Sequence, residues 1–223
     1  MTPHNIFHHN FKFRHPTTIG IVGPSQVGKS QFCIRLLQHL EDLMVNCPQR
    51  VIWAYGVKNS DQMDKIRQIK PDVEFVEGIP DSSQFSDPTK PCLIILDDLM
   101  SDIGKNPQIA KLFTMDSHHC RASVIAIIHN LFNQEKFSRT LALNTHYNII
   151  FRSKRDRSQI ARMNTQMFPG HPQFLQSAYD QATSRPYGYL VIDLHPATPE
   201  SLSVRSGIFP DEVPVIFQPH KRS

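Results

Sequence analysis

The stretch GPSQVGKS, residues 23–30, sets two glycines, a lysine and a serine at the spacing of a phosphate-binding loop. Gly23 and Gly28 permit backbone conformations that turn successive N–H groups inward, and Pro24, Ser25, Gln26 and Val27 carry the remaining amides of the cradle. Lys29 is placed to reach the β and γ phosphates of a nucleoside triphosphate such as ATP, and the Ser30 hydroxyl to ligate Mg2+. A glycine-rich turn that holds no nucleotide is the competing reading. What separates the two is context: a strand before the loop and a helix after it.

A second group of polar residues ends an apolar run. In LIILDDLM, residues 93–100, four buried-type residues precede Asp97 and Asp98. Acids at the carboxyl end of a strand sit where open α/β sheets bind ligands. Asp97 suits a magnesium-holding role and Asp98 the polarisation of an attacking water, although either acid could instead cap the next turn. SVIAII ends likewise in His129 and Asn130, positions suited to sensing a γ phosphate or to an ordinary structural hydrogen bond.

The elements that must position these groups alternate. TTIGIVG (17–23) is a β-branched run ending in glycine, and residues 29–46 repeat apolar side chains every three or four positions, which predicts one amphipathic helix. Strands are predicted at 50–55, 73–78, 91–100, 122–130, 146–152 and 187–194, and helices at 60–69, 106–115, 156–168 and 171–183. SLSVRSGIF, in the proline-rich last part, allows one more strand. Strands apolar on both faces and interleaved with helices predict an α/β fold, a mostly parallel sheet covered on both sides. No internal repeat is visible. The expected organisation is an extended arm over 1–16, one domain over 17–210 and a tail over 211–223.

At 223 residues the chain fits one such domain. Its net charge of +4 decides little, but RSKRDRSQIAR (152–162) alone sets five basic residues against Asp156, a local +4. The four cysteines have neither CxxC spacing nor a dense framework, so a reducing compartment is expected and disulfides are not. No signal-type or membrane-spanning apolar run occurs, and the expectation is a soluble, intracellular protein without a membrane partner. DSHHCR (116–121) looks superficially like a zinc site. Adjacent residues on a short loop cannot all face one tetrahedral ion, and a structural loop is expected there instead.

Taken together, GPSQVGKSQF, VEGIPD, LIILDDLM, SHHCRASVIAIIHNLF, RTLALNTHYNIIF, KRDRSQIARMNTQMFP and YLVIDLHP resemble the FtsK/HerA superfamily, and within it the DNA-packaging ATPases of poxviruses and of Maverick/Polinton and adintovirus-type elements. The resemblance covers about residues 17–210, with the motifs in the family's order. It implies a RecA-like P-loop NTPase core that assembles into a homo-oligomeric ring. Such a ring would use ATP and Mg2+ to pump double-stranded DNA into a preformed capsid through sequence-independent contacts to phosphate, and would work beside capsid portal or vertex proteins in the nucleus, at a viral assembly site or on the virion. Lys29 and Ser30 then match Walker A, and Asp97 and Asp98 the Walker B pair. His129 stands where relatives usually carry glutamine, which leaves the sensor role open between His129 and Asn130. Arg155, in the place of the family's PRD motif, is the first candidate for an arginine finger acting on a neighbouring subunit, and Arg139 the second; a solvated basic helix start is the plainer reading of Arg155. Lys105, Lys111, Arg121 and Lys136 are candidate phosphate contacts to DNA.

Two other functions share part of this pattern. A small P-loop nucleoside or nucleotide kinase would use the basic run at 152–162 as a lid, and a non-enzymatic capsid accessory would keep the cradle for structure alone.

Overall fold

The structure, a computed structural model, describes residues 11–85, 87, 89–99, 112–113, 121–129, 144–155 and 157–219. The sheet follows from the apolar runs. Strands β2 (Thr18–Val22), β4 (Arg50–Tyr55), β5 (Glu74–Glu77), β6 (Cys92–Asp97), β7 (Ala122–Ile128) and β8 (Tyr147–Phe151) all run parallel to one another. Beyond β8 the sheet turns antiparallel through β9 (Tyr189–Asp193), β10 (Val204–Ser206) and β11 (Val215–Ile216). The nine-stranded order is β11-β10-β9-β8-β2-β7-β6-β4-β5.

Alternation along each strand builds both faces at once. Ile19, Ile21, Val51, Trp53, Leu93, Ile95, Ile125 and Ile149 pack beneath α1 (Lys29–Gln38) and Ile66 of α3 (Ser60–Ile69). Their neighbours Ile52, Ala54, Ile94, Leu96, Val124 and Ala126 face Phe85, Leu112 and Phe113 on the other side. There too α4 (Arg157–Met167) and α5 (Phe174–Ala182) cover Ile150, Leu190 and Ile192. The predicted mostly parallel sheet between helices is what forms, with an antiparallel edge at β9–β11, and it is the arrangement of a RecA-like P-loop core.

Three details differ from the sequence expectation. The helix expected over 29–46 breaks at His39, gives a single turn α2 (Leu40–Leu43), and ends in a strand β3 (Met44–Val45). Leu40, Leu43 and Met44 stay buried through the break, so the apolar spacing continues while the backbone changes. The residues that capture it are Phe13–Arg14, strand β1, which pairs in parallel with β3. That strand lies within the expected N-terminal arm, where Phe11 and Phe13 are buried. At the other end, β11 and the side chains of Asp211 and Glu212 lie within the expected tail. Arg35 of α1 donates to both acids and stacks over Phe209, its guanidinium carbon 3.9 Å from the ring centroid. The helix expected at 106–115 falls largely outside the described residues, as do residues 116–120 of DSHHCR. Among the described residues no helix is long and apolar enough to cross a membrane.

Candidate active site

The loop between β2 and α1 lies at the carboxyl edge of the parallel strands. Gln26 (φ 66°) and Gly28 (φ 102°) adopt the left-handed backbone that makes a run of amides concave, a conformation favourable to anions. The Gly23 N–H donates to the Ile128 carbonyl (3.1 Å), tying the start of the loop to the end of β7. Gly28 caps α1, so the positive end of a ten-residue helix opens onto the loop, with Ser30 in its first turn. Helix and loop are held by a core in which Phe32 packs edge-on against Phe151, Tyr189 and Phe209.

Lys29 is only 6% exposed, and its ammonium donates to the carbonyls of Gly23 (2.6 Å) and Pro24 (2.7 Å). Burial holds its pKa below the ordinary lysine value, opposed by the charges of Asp97 and Asp98. Two of the ammonium's three donors are thus satisfied on its own loop.

Asp97 ends β6 and Asp98 follows it. Burial raises the Asp97 carboxyl above its usual range. A hydrogen bond from Gln62 Nε2 (2.8 Å), another from the Trp53 side chain and the charge of Lys29 partly restrain the rise, and neighbouring Asp98 adds to it. Asp98 is half-exposed and has left-handed backbone (φ 53°), a conformation aspartate tolerates better than most residues. The Gly56 N–H donates to the Asp97 carbonyl (2.9 Å), and a Cβ on Gly56 would collide with the Asp98 carbonyl oxygen. Glycine at 56 therefore lets the ends of β4 and β6 close together and holds the turn that presents Asp98.

His129 completes the group. Because β7 lies between β2 and β6, its end delivers the imidazole between the loop and the acids. Nδ1 is 3.5 Å from Lys29 Nζ, and Nε2 is 3.9 Å from Asp98 Oδ1. Of the residues singled out from sequence, Lys29, Asp97, Asp98 and His129 are thus brought together around the 23–30 loop. Asn130 and Arg139 lie outside the described residues, as do Lys105, Lys111 and Lys136. Arg155 is exposed just past the end of β8, its backbone N–H donating to Ser153 Oγ (3.3 Å). Arg121 is exposed at the entry to β7, on the sheet edge opposite the loop. A cavity of about 260 Å3 near α4 and α5, lined by Arg157, Gln173 and Asp180 among others, shares no residue with this group.

Neither a protein-family model nor a curated protein sequence matches the chain. Solved structures do. The chain is similar to the crystal structure of B204, the DNA-packaging ATPase from Sulfolobus turreted icosahedral virus, at 12% identity and a TM-score of 0.52, over 94% of this chain and 100% of that one. It is also similar to the genome-packaging NTPase B204 from Sulfolobus turreted icosahedral virus 2 in complex with ATP-γS, at 13% identity and a TM-score of 0.51, over 92% and 98% of the two chains. At such identity the likeness is one of fold. The fold is that of a RecA-like P-loop NTPase.

In this P-loop NTPase fold two contributors to the site escape a reading of the sequence. Gln62 sits in the polar helix α3, where nothing in its spacing sets it apart from the exposed glutamines and lysines around it, yet it holds the Asp97 carboxylate. Gly56, a lone glycine after β4, reads as an ordinary strand end until the Asp98 carbonyl is found against it. Only the apposition of the strand ends in this fold reveals either.

Proposed function

We propose that the chain is an ATP-driven motor that moves DNA into a preformed viral or virus-like capsid, working with magnesium in a ring of identical subunits. The observation that carries the reading is the convergence of Lys29, His129 and Asp98 at one edge of a sheet whose fold resembles that of a DNA-packaging ATPase.

The residues present fit the groups this function requires. Ser30 and Asp97 would hold magnesium, and the burial that raises the Asp97 carboxyl is relieved by a cation beside it. The bound metal would supply charge neutralisation at the phosphates. Lys29 exchanges its two loop carbonyls for phosphate oxygens. Asp98 orients the attacking water and accepts its proton, and His129, between lysine and acid, registers whether the terminal phosphate is present. Arg155 acts on the site of the neighbouring subunit, stabilising the charge that develops there. Basic residues facing the ring's channel contact DNA through phosphate, independent of sequence.

The test is steady-state ATP turnover of the pure protein with linear duplex, with single strand and without DNA, across a salt series. Stimulation by duplex that weakens with salt is expected. Phosphoryl transfer to a nucleoside, independent of DNA, would replace the motor with a kinase. Packaging that survives both Lys29→Ala and Asp98→Asn would reduce the protein to an accessory. The ring is tested by mixing Lys29→Ala with Arg155→Ala subunits, each inactive alone. Recovery of turnover is expected, because an intact Arg155 then faces an intact Lys29.

A further inference from the structure

Tyr187 belongs to none of the groups above, and its position is unusual in three respects. It is 73% exposed although aromatic. Its backbone is left-handed (φ 60°), a conformation that bulky residues rarely adopt. Its ring lies against the P-loop: a Cβ on Gly28 would meet Tyr187 Cδ1 at 2.8 Å, Cε1 at 3.6 Å and Cγ at 3.7 Å.

The topology explains how it arrives there. Because β9 runs antiparallel to β8, with Tyr189 opposite Phe151, the residues that lead into β9 land at the carboxyl edge of the parallel strands, beside the loop. The turn is tightly built. Thr183 is buried, with its N–H and hydroxyl both donating to the Tyr179 carbonyl, and the Gly188 N–H donates to the Arg185 carbonyl (3.0 Å). A Cβ on Gly188 would press on the Ala182 and Arg185 carbonyls. A turn this closely held can keep a disfavoured backbone angle at Tyr187, and the result is a ring set on the outer side of Gly28 with most of its surface open.

We infer that Tyr187 is the stacking platform for the nucleobase of the nucleotide whose phosphates occupy the cradle; the inference rests on that reading of residues 23–30. With the phosphates at the amino end of α1, the sugar and base leave the cradle past its rim, and Gly28 is part of that rim. An aromatic ring there offers a π-face to a purine and takes it out of water on one side. Stacking of this kind tolerates any base, so the platform strengthens nucleotide binding without choosing adenine over guanine.

The experiment compares affinities of the full chain for ATP, GTP and inorganic tripolyphosphate, with magnesium, by calorimetry. Tyr187→Phe should bind all three as the wild type does. Tyr187→Ala and Tyr187→Asn, the latter tolerant of left-handed backbone, should both lose about tenfold for ATP and GTP and keep the wild-type affinity for tripolyphosphate. Unchanged ATP affinity in both ringless variants overturns the platform. So does an equal loss for tripolyphosphate, which would make the ring a brace for the loop. A wild-type chain that binds neither ATP nor tripolyphosphate overturns the cradle itself, and with it the platform.

Discussion

His129 Nε2 lies 3.9 Å from Asp98 Oδ1, while the other nitrogen of the same ring faces the Lys29 ammonium at 3.5 Å. The relationship exists because β7 separates the loop-bearing strand from the strand that carries the acids. A polar side chain at the end of β7 is therefore the link between the group proposed to bind phosphate and the group proposed to orient water.

Replacing that link by alanine should lower ATP turnover about 100-fold, the order seen when one preorganised polar partner is removed from a reacting centre, with KM for ATP changing little. His129→Gln keeps an amide able to donate and accept, and should retain most of the turnover. The measurement is kcat and KM for the two variants side by side. A fall in affinity with unchanged kcat would remove His129 from the chemistry.

Asp97 links stability to pH. Its folded-state pKa is raised, chiefly by burial, so the native protein holds this proton more tightly than the unfolded chain does. The associated stability is present below the unfolded value near 3.8 and is lost as pH rises through the raised value. Asp97→Asn carries no such charge. Its thermal midpoint should exceed that of the wild type at pH 7 without ligand, and the difference should shrink on acidification. The same variant should lose the additional stabilisation that magnesium gives the wild type with ATP.

Gly56→Ala places a methyl group against the Asp98 carbonyl and close to Leu99 Cδ2. Overpacking there should cost about 1–3 kcal/mol in denaturant unfolding, and turnover should drop because relief comes from moving the turn that carries Asp98. Gly170→Ala meets open space and should stay within about 0.5 kcal/mol of the wild type.

The C-terminal segment is anchored on α1 rather than trailing from the domain. Arg35 stacks on Phe209 and pairs with Asp211 and Glu212, and Glu212 in turn accepts from the Tyr189 hydroxyl. Arg35→Ala should cost about 1–2 kcal/mol, the sum of a cation–π contact and partly exposed ion pairs. Ending the chain at Pro210 removes both acids and β11, and should lower the thermal midpoint further than Arg35→Ala does.

Much of this candidate site is legible in the sequence. The 23–30 loop declares itself because its chemistry is local: the glycines and the lysine act through the backbone and helix that immediately surround them. Asp97, Asp98 and His129 are legible for a related reason, since apolar runs mark buried strands and a polar residue ending such a run in a parallel sheet emerges at one edge. The strands themselves read well, from Arg50–Tyr55 to Tyr189–Asp193, because burial on both faces leaves a continuous apolar signature.

Apolar spacing carried no information about the break at His39, since Leu40, Leu43 and Met44 are buried whether the chain continues as helix or turns into strand. Pairing with Phe13–Arg14, far away in sequence, made that choice. Nor could spacing show that Gln62 reaches Asp97, that Gly56 yields space to Asp98, or that Tyr187 rests on Gly28. By itself the sequence determined which residues could bind phosphate and which runs could be strands, because those properties reside in single side chains and their near neighbours. Tertiary structure alone decided the order of the strands, and hence which distant residues meet at the loop, because that order comes from packing surfaces formed only when the whole sheet has closed.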